Sequence, residues 1–433
     1  MNSSLSRVSF QLRDKEFIIN IKLKEHTLNN GLKILLLEDH SLPIVGYYAF
    51  YKVGSINEKP GITGISHFIE HMMFNGTRKY GPKQFDFLLE SNGGYSNAYT
   101  SHDMTVYYQE FPKDILELVI DLESDRMANL LFDSEIVEAE REIIKEERRA
   151  SIDNYPPGKL EEELFSLAYK RHPYQWPVIG WMKDISSISR EELYDYYTTF
   201  YSPNNATVIV VGDFYPNEIL PLIKKAYELI PPQSLPSNSF FNPEKIKEKR
   251  KKIYKKVEIP SFMVAYCCSE ANNRDTFVLD VLDVILSGGK SSRLYQKMVD
   301  EKTIALRVST DFPWRLSPSL FMVYVQMRTG HSNEQGEEVI YQELNKIKKE
   351  GVSLQELQKA KNILCADFIR NFKRNSSRAN IIGNFELLFG QWRNIFHLMD
   401  KYQEITSKDV SQMIEKYFDD KNRTVVQLLP EDC

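Results

Sequence analysis

An α+β fold, built as two similar α/β-roll domains with antiparallel-rich sheets and flanking helices, is what this sequence predicts. Three observations carry that expectation. The chain has 433 residues, more than the roughly 250–300 that one hydrophobic core supports. Residues 188–208, ISREELYDYYTTFYSPNNATV, align without gaps to residues 405–425, ITSKDVSQMIEKYFDDKNRTV. Strand-like runs are joined by short turns with helices interspersed, a pattern that favours α+β over a doubly wound parallel sheet.

The repeat keeps Ile188 with Ile405, Asn205 with Asn422, Thr207 with Thr424 and Val208 with Val425. Both copies read as a capped amphipathic helix, an Asx turn and a strand. An ancient duplication accounts for them.

In the first half, KILLLED (33–39) and PIVGYYAFYKVGS (43–55) read as strands joined by a short turn. Helices are expected over 64–74 and 82–91. YSNAYTSHDMTVYYQEF (95–111) reads as a strand pair or one long hairpin strand. Helices follow over 112–130 and 134–151, and NATVIVVGDF (205–214) closes the half as a strand. The proline-rich stretch 230–256 is the expected linker, separating domains over 1–229 and 257–433. Its basic run, KIKEKRKK, reads as a solvated face and not as a nucleic-acid site.

Composition sets limits on function. A net charge of −5 gives no general pull toward nucleic acid or an anionic membrane. Cys267, Cys268, Cys365 and Cys433 form no CxxC pair, which suits a reducing compartment. No run approaches the roughly 18 apolar residues of a membrane span. MNSSLSRVSFQLRDKEF lacks the apolar core of a signal peptide. The expectation is a cytoplasmic protein, or a periplasmic one if a leader was removed, with neither nucleic acid nor membrane as partner.

The chemistry concentrates in GISHFIEHMMFNG. On a helix His67 and His71 are four apart, so their rings leave one face and can share a metal. Zinc accepts imidazole nitrogen and carboxylate oxygen, and a catalytic site keeps one position for water. Glu70, beside His71, can take that water's proton. HxxEH thus meets these needs in the reverse order of HExxH. The surrounding Ile65, Phe68, Ile69, Met72, Met73 and Phe74 predict burial, where ionisable groups need partners. A third ligand is expected from EAEREIIKEERR. Glu140 and Glu147 are two turns apart, on a face predicted to be buried with Ile143 and Ile144. Spacing alone does not separate Glu147 from Glu146.

Taken together, these residues resemble the M16 (pitrilysin/insulinase) metallopeptidases, the inverzincins. The likeness is to the short-chain, processing-peptidase type. It covers nearly the whole chain: NGLKILLLED, GISHFIEHMMFNGT, GGYSNAYTSHDMTVYY, EREIIKEE, HPYQWPVIG, YSPNNATVIVVGDF and LSGGKSSRLYQ. The resemblance implies one zinc ion on His67, His71 and Glu147, with Glu70 as general base and Glu140 orienting a histidine. It implies that Asn97 and Ala98 bind the substrate backbone by strand addition. It also implies hydrolysis of unstructured peptides inside a closed chamber, in a homodimer or a heterodimer with a related chain. One departure stands out. Members of this family use an arginine and a tyrosine seven residues apart, and residues 251–433 hold no such pair. A partner chain supplying it is therefore expected. The alternative is a zinc-binding but weakly active peptide-binding or structural subunit.

Overall fold

The computed structural model describes residues 6–12, 15–237 and 247–431. Two compact units emerge, each built on one main sheet.

An antiparallel hairpin, β1 (Ser6–Leu12) and β2 (Lys15–Ile21), precedes the sheet of the first unit. That sheet contains β3 (Leu23–Thr27), β4 (Lys33–Glu38), β5 (Ile44–Tyr51), β6 (Tyr95–Thr100), β7 (Thr105–Pro112) and β8 (Ala206–Gly212). Their spatial order is β3-β4-β8-β5-β7-β6. Although β4 and β5 are consecutive, they do not pair. β8 lies between them, parallel to β4 and antiparallel to β5. The burial explains the placement. All seven residues of β8 are buried, as are Ile34–Leu37 of β4, as befits strands covered on both faces.

Helices α1 (Ile65–Met72), α2 (Gln84–Ser91), α3 (Leu116–Asn129) and α4 (Ser134–Arg148) follow the expected order with shorter bounds. α4 gives way to a π-helical turn at Arg149–Asp153.

The second unit contains β9 (Lys249–Lys255), β10 (Ser261–Cys267), β11 (Ala305–Asp311), β12 (Leu320–Met327) and β13 (Arg423–Pro430). Their order, β11-β12-β10-β13-β9, reproduces β6-β7-β5-β8-β4 of the first sheet. The one parallel pair also recurs, β13 with β9 as β8 with β4. The fold is thus a duplicated α+β domain.

The aligned stretches agree in detail. Helix Arg190–Phe200 opens with a capping box from Ser189 and Glu192; helix Ser407–Tyr417 opens with one from Thr406 and Asp409. Asn205 Nδ2 donates to Phe200 O at 2.8 Å and Lys52 O at 3.3 Å. Asn422 Nδ2 donates to Tyr417 O at 2.6 Å and Cys267 O at 2.8 Å.

Two features correct the expected boundaries. Lys249–Lys255, in the run read as solvated linker, is the edge strand β9. Its charges are matched: Arg250 pairs with Glu337, Lys251 with Glu163 and Lys252 with Glu334. A single cut also does not separate the units. The first takes the chain up to Arg148, then from Trp176, then Arg370–Phe396, while Arg149–Gln175 belongs to the second. Helix Asn375–Leu388 packs on β5 and β8, with Gly383 against the Phe50 ring. Reciprocally, α5 (Pro156–Ala168) packs on β10 and β13. Each sheet is covered by a helix from the other half of the sequence.

Cys267, Cys268 and Cys365 are buried and none forms a disulfide among the described residues, and Cys433 lies outside the described residues. Among the described residues no helix is long and apolar enough to cross a membrane.

Candidate metal centre

α1 begins at Gly64, whose φ of +87° is left-handed. A side chain there would meet the Ile179 carbonyl oxygen at 2.3 Å, so only glycine fits. The helix has no side-chain cap of its own at this point. Instead the buried Glu58 carboxylate accepts from the amides of Gly64 at 2.8 Å and Ser66 at 3.0 Å. A carboxylate there satisfies orphan donors and complements the helix dipole. Burial pushes Glu58 up to about 7 against those two bonds. Ile65, Phe68, Ile69 and Met72 are fully buried, which fixes α1 in rotation and sends His67 and His71 to a common side. Their ring centroids are 4.8 Å apart.

α4 faces them. Its buried residues are Val137, Arg141, Ile144 and Arg148, at helical spacing. Ile144 is buried as expected, but Ile143 is 51% exposed. The expectation for Ile143 is corrected: at 100° per residue it turns away from the stripe that Ile144 shares with Val137 and Arg148. Glu140 and Glu147 flank that stripe and reach α1.

Glu147 Oε1 lies 3.6 Å from His67 Nε2, and its Oε2 lies 3.3 Å from His71 Nε2. One ligand atom from each of the three residues falls within 4.8 Å of the others. Around a tetrahedral zinc with bonds near 2.1 Å, neighbouring ligand atoms stand about 3.4 Å apart. The donor set suits zinc in chemistry, and the two Glu147 contacts, at 3.6 and 3.3 Å, match that spacing. Glu147 is itself exposed, which corrects the buried face expected for it, and the equally exposed Glu146 is not part of this group.

On its other side His71 is held firmly. Its Nδ1 is 3.0 Å from Glu140 Oε2, and Asn75 Nδ2 donates to Glu140 Oε1 at 2.9 Å. His67 Nδ1 is buried with no hydrogen-bond partner among the described residues. These environments separate the two imidazoles. Burial holds His67 down, at about 4. Burial also opposes charge on His71, but Glu140 and Glu147 outweigh it and raise that ring to about 9. The His71 hydrogen bond lowers Glu147. Burial raises Glu70, against a hydrogen bond from Thr100 Oγ1 at 2.5 Å.

β6, which carries Asn97, Ala98 and Thr100, is an edge strand paired only with β7. Asn97 is exposed, and its Oδ1 accepts from the Ala98 amide at 2.8 Å. His102 and Asp103 lie in the turn between β6 and β7. His172 is buried in the second unit, where its Nδ1 accepts from the Tyr174 amide at 3.1 Å.

Sequence reasoning missed Glu58, Asn75 and Thr100. Asn75 lies four residues after His71 but past the end of α1 at Met72, so helical spacing gives no sign of it. Thr100 sits two residues after Ala98, within a strand already singled out. Glu58 left no signal, because its link to α1 depends on the path of the intervening loop.

Residues 33–180 match the family profile described as Insulinase (Peptidase family M16), and residues 187–364 match the one described as Peptidase M16 inactive domain. The zinc protease PqqE of Helicobacter pylori is 30% identical over 412 residues, covering 93% of this chain and 92% of that protein. The uncharacterised zinc protease YmxG of Bacillus subtilis is 25% identical over 400 residues, covering 92% and 96%. Among solved structures, a protease from Helicobacter pylori superposes with a TM-score of 0.92 at 29% identity, covering 95% of this chain and all of that one. The periplasmic protease PqqL from Escherichia coli shares the fold, with a TM-score of 0.77 at 22% identity over 94% of this chain and 47% of that one.

Proposed function

We propose a peptidase function from the premise that this chain belongs to the M16 (insulinase) peptidase family. The reading is a zinc-dependent endopeptidase acting on unstructured peptides. The observation that carries it is the convergence of His67, His71 and Glu147, from two helices, beside Glu70.

His67 Nε2, His71 Nε2 and the Glu147 carboxylate would hold the metal. Glu140 fixes the His71 ring through Nδ1, leaving the Nε2 lone pair for the site. When bound, zinc polarises the scissile carbonyl and makes a water acidic near neutral pH. Glu70 takes a proton from the attacking water and returns it to the leaving amine. Asn97 and Ala98, on the open edge of β6, would align an extended peptide as an added strand, which a folded substrate could not form.

The missing arginine–tyrosine pair supports a dimer whose second, related chain supplies those side chains. A second reading, a zinc-binding subunit with weak activity of its own, rests on the same absence. One experiment separates them: zinc content and cleavage of a quenched fluorescent peptide, wild type against Glu70→Gln. The enzyme reading predicts stoichiometric zinc in both and a loss of about 100-fold or more in the variant. Full zinc occupancy with no cleavage, alone or mixed with a related chain, would overturn it. Full activity of the single chain would defeat the heterodimer.

A further inference from the structure

The open edge of β6 is occupied in part by one of the strand's own side chains. Just beyond the paired residues, the Ser101 amide donates to the Met104 carbonyl at 2.8 Å. In an antiparallel pair such bonds recur at every second residue. Tyr99 with Val106, Asn97 with Tyr108 and Tyr95 with Glu110 are therefore the hydrogen-bonded pairs of this hairpin. Ser96, Ala98 and Thr100 alternate with them, so their backbone amides and carbonyls point to the open edge. Those are the groups that an added peptide strand would use.

Two of these three outward donors are already engaged. The Thr100 amide serves the Glu70 carboxylate. The Ala98 amide donates to Oδ1 of the preceding Asn97 at 2.8 Å. A side-chain amide carbonyl accepts as a peptide carbonyl does, so Asn97 offers Ala98 what a substrate would offer. Asn97 is exposed and can swing into water with the loss of a single neutral hydrogen bond. Its resting position is set by Tyr108, which stands opposite and whose hydroxyl its carboxamide also engages. The Tyr108 ring is itself fixed, with the Tyr48 ring stacked on it at 5.3 Å and the Tyr95 ring edge-on at 6.0 Å.

We propose that Asn97 is a displaceable guard, holding the Ala98 amide until a substrate carbonyl replaces it. The inference rests on the strand-addition part of the peptidase reading above and divides the work there: Ala98 binds the peptide, and Asn97 sets the threshold for binding. Only molecules with Asn97 swung out accept a peptide at Ala98, so the guard weakens apparent affinity by that fraction. An extended segment that pairs with several outward groups of β6 outcompetes it. A folded or very short ligand, meeting Ala98 alone, does not.

The test uses the full zinc-loaded chain carrying Glu70→Gln, which holds a peptide without cutting it. The probe is a fluorescein-labelled, unstructured peptide of no net charge. Adding Asn97→Ala should tighten its dissociation constant about 2- to 10-fold. Adding Asn97→Asp, whose carboxylate is the stronger acceptor, should weaken it by a similar factor. Zinc content should be the same in all three proteins. A readout without peptide accompanies these: exchange of the Ala98 amide, followed by nuclear magnetic resonance in alanine-labelled protein, should quicken in Asn97→Ala. Asn97→Val, which suits a strand, replaces the alanine variant if circular dichroism shows that one misfolded. Unchanged affinity in either variant, weaker binding in Asn97→Ala, or an Ala98 amide that exchanges no faster would each overturn the proposal. Tighter binding by Asn97→Ala, in a protein whose wild type cleaves no peptide, would uphold the guard and count against the peptidase reading instead.

Discussion

His71 Nδ1 stands 3.0 Å from Glu140 Oε2, so the ring is anchored from behind before any metal is offered to its front. Asn75, which binds both Glu140 and the His71 carbonyl, braces the carboxylate in turn. Removing the negative charge of Glu140 should loosen the ring and lower its basicity. Glu140→Gln is expected to weaken zinc binding about 10- to 100-fold, measured by competition with a chelator. The melting temperature in excess chelator should barely move, because Glu140 lies beside the buried stripe of α4 and not in it.

Gly64 is a sharper structural constraint. Gly64→Ala would place a methyl 2.3 Å from the Ile179 carbonyl oxygen at a φ of +87°. The expected cost is about 2 kcal/mol or more, read as a lower urea midpoint at unchanged slope. Zinc affinity should fall with it, since α1 starts at this residue.

The two repeated asparagines make a paired prediction. Asn205→Ala and Asn422→Ala each leave two backbone carbonyls without their side-chain donor. Each should cost about 2–4 kcal/mol, seen in denaturant unfolding. A neutral result at one position would mean that the two bonds are not equivalent in weight.

A pH effect is expected in the second unit. Asp280 accepts from Tyr402 Oη at 2.7 Å and from Trp314 Nε1 at 3.1 Å. Burial pushes its carboxyl up to about 7, against those bonds, and the nearby Asp283 pushes the same way. A carboxyl raised on folding gives stability that is full below its unfolded value, near 3.9, and is lost as pH rises through about 7. Asp280→Asn stays neutral throughout. Its melting temperature relative to wild type should therefore rise between about pH 5 and about pH 8. A difference that stays constant over that range would refute the assignment.

Much of this structure can be read in the residues, for identifiable reasons. The repeat over 188–208 and 405–425 was legible because caps, turn and strand are local and carry side-chain signatures. Lys249 pairs with Thr424 as Lys33 pairs with Thr207, so β9 is the counterpart of β4, yet β9 escaped notice. An edge strand of alternating partners can be almost wholly charged, so KRKKIYK has no apolar pattern to betray it. The pairing of β4 with β8 was also invisible, because nothing between Glu38 and Ile44 specifies a partner more than 160 residues away. At the site, His67, Glu70 and His71 come from one helix and could be grouped by spacing. Glu147 could be named only through family resemblance, since helical periodicity does not fix which side of α4 faces α1. Ile143 shows how that ambiguity misleads.

The exchanged helices impose an order on synthesis. The apolar residues of Asn375–Leu388, among them Ala379, Ile382 and Phe385, close the sheet made by β5 and β8. A ribosome that has finished β8 must add more than 160 further residues before that cover emerges. Until then the nascent first unit carries an uncovered strand face, the kind of surface that chaperones bind and that drives aggregation. Separate expression of the two sequence halves would make the exposure permanent, because each half would leave its partner's covering helix on the wrong polypeptide.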